Sequence, residues 1–305
     1  MTKQSVPLGA LYTTLSTITV VLMAMLIKWA SHGYATEFLM ATRWTAGLAL
    51  FLAVWLAARG RTGMATRHPG MQIGAALCWT GATFAYYLSI RFIPLMDATL
   101  LLYTSSLFGP LVARLLSGVR EPGRVWLGIG VGFAGVAVVL NPNSCIFSPW
   151  SLVALASGLL MALRVHFNRE LSHDDPKERT SFYSLSVGLA ACLAAWAATG
   201  LPVGSWRAHM FTPTTALQPW LVDGVLLGAV VALGLLSMLQ AWLVAFGLEH
   251  ASVGKVGPFL YMGVIFAALA DWLVWGVKPS ACAVAGLVII VAGGLIVLRG
   301  KKEPS

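Results

Sequence analysis

The chain has 305 residues, 58% of them hydrophobic and only 10% charged, where an ordinary soluble domain carries about 25% charged residues. With a mean hydropathy of +0.80 the apolar surplus has no place in a water-soluble fold, so the bilayer is the solvent. The net charge of +9 does not indicate a nucleic-acid partner, because the Lys and Arg residues sit in short loops between apolar runs, as in a polytopic membrane protein.

A spanning helix needs about 20 apolar residues. In chain order the apolar runs predict helices over 8–29, 37–58, 71–91, 96–117 and 123–140, then 149–168, 180–200, 220–247, 252–275 and 279–298. None has the period-two alternation of a membrane strand. The expected fold class is an all-α polytopic membrane protein with ten transmembrane helices. The first run lacks an A-x-A cleavage site and is long enough to span, so it reads as a helix rather than a signal peptide. Cys78, Cys192 and Cys282 lie in apolar runs and Cys145 stands alone in a short loop, which implies no disulfide framework. With the N-terminus inside, fifteen Lys and Arg residues fall on the inner side and four on the outer. That bias predicts a multi-pass protein of a bacterial-type cytoplasmic (inner) membrane with both termini cytoplasmic.

The second half copies the first. A shift of 158 positions pairs Tyr103 with Tyr261, Phe108 with Phe266, Gly118 with Gly276, Gly128 with Gly286 and Gly135 with Gly293. With other offsets, Lys28 faces His166, and Glu37, Gly47 and Trp55 face Glu178, Gly188 and Trp196. Residues 1–141 and 149–299 are thus read as two five-helix repeats, with 300–305 a cytoplasmic tail. An odd number of helices inverts the second copy. Inverted repeats place a substrate site near the midplane and permit alternating access.

The stretches Tyr87-Leu88-Ser89-Ile90-Arg91-Phe92-Ile93-Pro94 and Asp97-Ala98-Thr99-Leu100-Leu101 resemble the third and fourth helices of the drug/metabolite transporter superfamily, EamA type. Trp126-Leu127-Gly128-Ile129-Gly130-Val131-Gly132-Phe133-Ala134-Gly135 resembles its fifth helix. Val256-Gly257-Pro258-Phe259-Leu260-Tyr261 and Gly286–Gly294 repeat the pattern near the C-terminus. The resemblance implies ten helices, inverted repeats and export or exchange of small metabolites. The family's Gly-Glu after helices four and nine is displaced here, in Gly118-Val119-Arg120-Glu121, and missing from Gly276-Val277-Lys278-Pro279.

An ionisable group inside a span costs a few kcal/mol on insertion scales, so each asks for a reason. Arg43 lies within helix two. It reads as a carboxylate or phosphate clamp or as a structural pair with Glu37. Lys28, and Arg164 beside His166, sit near the two mouths of a pathway, where they attract anions or simply snorkel. Asp97 opens helix four and reads first as a cap, whereas Lys255 opens helix nine against the dipole. Asp271, near the outer end of helix nine, is a partner for Lys28 or Lys278, or a proton relay. Trp79, Thr83 and Tyr86 recur along one face of helix three. With Tyr103, Tyr261, Ser237 and Gln240 they are expected to line an amphipathic cavity or to pack against neighbouring helices. Arg43, Tyr103, Tyr261, Trp79, Thr83, Tyr86, Ser237, Gln240 and Lys28 form the substrate-binding set. Asp97, Lys255, Asp271, His166, Arg164 and Pro258 form the gating or proton-coupling set, with Gly257-Pro258 the favoured hinge over Pro110.

The charge balance near the spans favours an anionic or zwitterionic substrate: an amino acid or amino-acid-derived compound, including an opine-type metallophore with several carboxylates. A vitamin or nucleoside-like cargo, taken up rather than exported, would use the aromatic residues instead. The rival of another class is an intramembrane prenyltransferase built on Asp174-Asp175-Pro176-Lys177-Glu178. It lacks a second acidic motif, and no catalytic residue, cofactor or metal is expected. The implied partners are membrane lipid and a small-molecule substrate, without nucleic acid; a homodimer stays open.

Overall fold

The computed structural model describes residues 6–31, 36–57, 63–118, 122–140, 148–172, 174–199, 228–229, 231–240, 242–243, 246, 259 and 261–300. Among them there is no strand. The helices are α1 (Val6–Ala30), α2 (Thr36–Ala57), α3 (Pro69–Ser89), α4 (Leu95–Tyr103), α5 (Ser105–Ser117) and α6 (Gly123–Val139). After them come α7 (Pro149–Leu171), α8 (Lys177–Thr199), α9 (Val231–Gln240), α10 (Met262–Trp275) and α11 (Ala281–Gly300). Because α4 and α5 are halves of one apolar run, Leu95–Ser117, these segments supply the ten passes expected from hydropathy. Pro7–Ala30, Leu39–Ala57, Leu95–Ser117 and Pro149–Leu171 are long and apolar enough to cross a bilayer by themselves. The expected spans 220–247 and 252–275 are seen only in part. Exposed Leu115, Leu127, Leu273 and Val288 give the molecule an apolar outer surface, which lipid covers.

Local chemistry sets the helix ends. Pro69 and Pro149 occupy first turns, where a missing N–H costs nothing. Ser148 caps α7 by accepting from the Trp150 amide at 3.3 Å. Gly118 and Gly276 end α5 and α10 in the left-handed region, at φ 66° and 68°, where a side chain would be strained. These two glycines are mates under the 158-residue shift.

The α4/α5 break falls at Thr104, not at Pro110, which α5 carries inside it. The Thr104 hydroxyl donates to the Leu101 carbonyl at 2.5 Å and the chain of α7 presses in. A Cβ on Gly158 would stand 2.6 Å from the Leu101 carbonyl oxygen. Pro258, the other hinge candidate, lies outside the described residues. α10 likewise begins one residue after a turn at Tyr261.

The most extensive helix contact joins α6 to α11, through glycines. A Cβ on Gly293 would lie 2.7 Å from the Gly128 carbonyl oxygen, and one on Gly286 3.1 Å from that of Gly135. Gly128 is the mate of Gly286 and Gly135 the mate of Gly293. Each pair therefore maps onto the other when the halves are exchanged, and the two helices run antiparallel. This is the local signature of an inverted pair, with close backbone approach through small residues. Elsewhere α3 and both α4 and α5 pack on α7, α2 packs on α8, and α1 packs on α10.

Candidate functional site

Arg43 is 8% exposed in the first half of α2. Its Nη1 donates to the Tyr87 hydroxyl at 2.8 Å and its Nε to Ser237 Oγ at 3.4 Å. The guanidinium also stands 5.5 Å from the Trp44 ring centroid and 5.4 Å from that of Tyr87. No carboxylate pairs with it among the described residues. Glu37, its expected partner, has a side chain outside the described residues. Arg164 of α7 lies over Trp79 at 3.9 Å. Among the described residues its Nη1 reaches Met161 Sδ, at 3.8 Å, and its Nε is buried without a partner. Trp79 meets Trp44 edge to face at 4.6 Å. Trp44 Nε1 is also buried and unpartnered. The two arginines are close enough to repel one another. Four helices thus assemble one cationic, aromatic site: α2, α3, α7 and α9. Gly188 of α8 makes room for it, since a Cβ there would meet the Trp44 ring at 3.1 Å.

A second cluster lies at the end of the bundle where α1 and α10 finish. Lys28 Nζ pairs with Asp271 Oδ1 at 2.9 Å and lies over Trp275 at 4.6 Å. Asp271 Oδ2 accepts from the Met96 amide at 2.8 Å. Asp97, 5% exposed, faces the same pair. A cavity of about 240 Å³ opens here between Met96, Asp97, Ala268, Asp271 and Lys278. At the repeat-related position, His166 Nε2 contacts Ser117 Oγ at 3.3 Å. Ser117 is the mate of Trp275, as His166 is of Lys28, so the two contacts answer each other at opposite ends.

Between these ends Tyr103 and Tyr261 meet edge to face at 6.1 Å, and Ser106 Oγ and the Tyr261 hydroxyl share a hydrogen bond of 2.7 Å. Symmetry mates in contact lie on the axis that relates the halves. The two phenols thus meet on that axis.

The segments leading into α3 and α8 are tied together. Asp175 Oδ2 accepts from Thr66 at 2.5 Å and from Gln72 Nε2 at 2.7 Å, while Arg179 bonds Oδ1. Arg179 also donates to the Gly63 carbonyl from Nε and Nη2, each at 3.0 Å. His68 Nε2 lies 3.0 Å from Asp174 Oδ2. Burial pushes the Asp175 carboxyl up, but the bonds from Thr66, Gln72 and Arg179 outweigh it and hold the group below its ordinary range. These two acids serve a loop latch, where the sequence offered them as pyrophosphate ligands.

The structure gathers Arg43, Ser237, Trp79 and Arg164 and sets Lys28, Asp97 and Asp271 in a separate cluster. Along the expected Trp79, Thr83 and Tyr86 face the partners differ. Thr83 donates to its own helix, to the Trp79 carbonyl at 2.7 Å, and Tyr86 turns to Thr99 of α4 at 2.9 Å. Gln240 is half-buried at the end of α9. Lys255 lies outside the described residues. Trp44 and Tyr87 were missed. Both neighbour residues that were singled out, and a step of one residue turns a side chain by about 100°, so only packing partners decide between neighbours.

Residues 148–299 match the EamA-like transporter family. Over 298 residues the chain is 28% identical to the pseudopaline exporter CntI of Pseudomonas aeruginosa, spanning 96% of this chain and 97% of that one. It is 24% identical over 296 residues to the riboflavin transporter of Rhizobium johnstonii, spanning 97% and 92%. A solved crystal structure 22% identical in sequence superposes with a TM-score of 0.58, covering 97% of this chain and 96% of the other; it supports the fold.

Proposed function

This chain belongs to the EamA type of the drug/metabolite transporter superfamily, and we propose that it exports a small anionic or zwitterionic metabolite across a bacterial-type cytoplasmic membrane. Transport of a small molecule through a lipid bilayer follows from the family. The finer reading is alternating access around the Arg43 site, with residues 1–141 and 149–299 as the two rocking repeats and both termini cytoplasmic. The observation that carries it is Arg43: a buried guanidinium, anchored by Tyr87 and Ser237 and without a carboxylate among the described residues, which a substrate anion completes. Guanidinium binds carboxylate through two parallel bonds, which gives orientation as well as charge. An amino acid or amino-acid-derived compound, an opine-type metallophore included, has the required chemistry. Likeness to a protein named as an exporter supports the direction.

The second reading is uptake of a vitamin or nucleoside-like metabolite. The Trp44–Trp79 pair and the likeness to a riboflavin transporter support it. Metabolites inside and outside cells carrying wild type, an empty control or Arg43→Lys separate the two. Export predicts an anionic species enriched outside with wild type and reduced roughly tenfold with Arg43→Lys at equal membrane abundance, because Lys keeps the charge and loses the fork. Depletion of a neutral aromatic metabolite from the medium, unaffected by Arg43→Lys, establishes the uptake reading instead.

A further inference from the structure

We propose that this site takes a substrate with two separate anionic groups, one held by Arg43 and the other by Arg164. The proposal rests on the transport reading above and adds the substrate class and a second anchor. Arg164 stands near one mouth of the pathway by sequence, yet its guanidinium covers Trp79 at 3.9 Å, and Trp79 meets Trp44 at 4.6 Å. Trp44 in turn lies 5.5 Å from the Arg43 guanidinium. The two cations are therefore the ends of one continuous aromatic contact.

Their bonding differs. Arg43 is oriented by Tyr87 and Ser237 through Nη1 and Nε. Arg164 has a thioether contact and an Nε that is buried and unpartnered. A buried donor without a partner is costly, and so are two like charges held in one low-dielectric site. A single anion on either arginine leaves the other cation uncompensated. Two anions, joined by an apolar or planar stretch that crosses the indoles, neutralise both and supply the missing acceptor. The Trp44 Nε1 donor, buried and unpartnered, adds a polar contact along that stretch. Arg164→Lys retains charge but cannot keep the flat contact on Trp79 together with a forked bond to an anion.

The test uses the full chain in proteoliposomes loaded with a filtered cytosolic metabolite extract, with released species identified by mass spectrometry. Wild type, Arg43→Gln, Arg164→Gln and Arg164→Lys are compared at measured protein density, with melting curves to confirm folding. Species released by wild type should carry at least two anionic groups at neutral pH. Arg164→Gln should slow their release by about tenfold or more and shift the released set toward monoanions, with partial recovery in Arg164→Lys. A purely structural Arg164 would change the amount released but not its charge class. Release by wild type of monoanions or lone phosphate monoesters overturns the proposal and leaves export standing. So does unchanged dianion release by Arg164→Gln. If wild type releases nothing above empty liposomes, the transport reading fails and the proposal falls with it. If Arg164→Gln does not fold, the charge class released by wild type and the Arg164→Lys selectivity decide.

Discussion

Three arrangements account for the charged residues that matter most here: the buried cations Arg43 and Arg164, the Lys28–Asp271 pair at one end, and the Asp175–Arg179 latch at the other. The first two were legible because ionisable residues in apolar runs are rare enough to notice. The latch was not, since Thr66, Gln72 and Arg179 carry no signal of their own and Asp175 stood out only as part of an acidic motif, until the start of α3 meets the start of α8. Asp175 makes this latch testable by pH. Its side chain is 1% exposed and its folded carboxyl titrates below the ordinary value of 3.8. A carboxylate depressed in the folded state contributes stability that is complete above the unfolded value and is lost as pH falls through the folded one. Asp175→Asn should therefore lower the melting temperature of the detergent-solubilised protein by the same amount at every pH from neutral to about 5. The gap to wild type should close only in stronger acid. Melting curves across that range check this, and a gap that closes near neutrality would point to a different group. Arg43 shows the opposite limit of sequence reading. Its own importance was visible, but Tyr87 and Trp44, which orient and face it, were hidden among neighbours of equal promise.

At the scale of helices, hydropathy located the spans well because the bilayer demands length and apolarity from each segment regardless of its neighbours. The runs read as 8–29, 123–140 and 149–168 correspond to α1 (Val6–Ala30), α6 (Gly123–Val139) and α7 (Pro149–Leu171). What hydropathy cannot carry is a break within a span. Thr104 divides α4 from α5 because its hydroxyl returns to Leu101 and Gly158 lets α7 approach that carbonyl, which is a tertiary cause. The glycines were legible as repeat positions, but their work appears only when α6 and α11 meet. A Cβ on Gly293 would stand 2.5 Å from the Gly132 amide nitrogen and 2.7 Å from the Gly128 carbonyl oxygen. Backbone on both sides cannot yield as a flexible side chain would. Gly293→Ala should push α6 and α11 apart and cost about 1–3 kcal/mol, the usual range for overpacking. Gly130→Ala is the control, since nothing lies within 4 Å of its Cβ position. It should be neutral or mildly stabilising, as Ala is the better helix former. Thermal unfolding of the two variants in one detergent compares them directly, and equal melting temperatures would mean that α6 and α11 adjust without cost.

For the molecule as a whole, the symmetry makes a stronger demand than any single site. If the halves rock about the axis marked by Tyr103 and Tyr261, opening one end must close the other. In that proposal the Lys28–Asp271 pair holds the outer end and the Asp175 latch the inner end, with sides assigned from the Lys and Arg bias. Each can be weakened separately. Removing one partner of a buried ion pair costs about 3–5 kcal/mol, which is enough to shift a two-state equilibrium through most of its range. Reporters are available at repeat-related positions: Ala268 lines the outer cavity, and Ala113, the mate of Asp271, is buried toward the inner end of α5. In a chain whose four cysteines are replaced by serine, Asp271→Asn should raise labelling of Ala268→Cys by an impermeant thiol reagent added outside. The same change should lower labelling of Ala113→Cys from the inside of inverted vesicles. Asp175→Asn should do the reverse. The reciprocity is the discriminating part, because loosened packing would raise labelling at both positions whichever contact was cut. Parallel increases would therefore reject rocking between the two ends, while opposite changes would tie the outer ion pair and the inner latch to one conformational equilibrium.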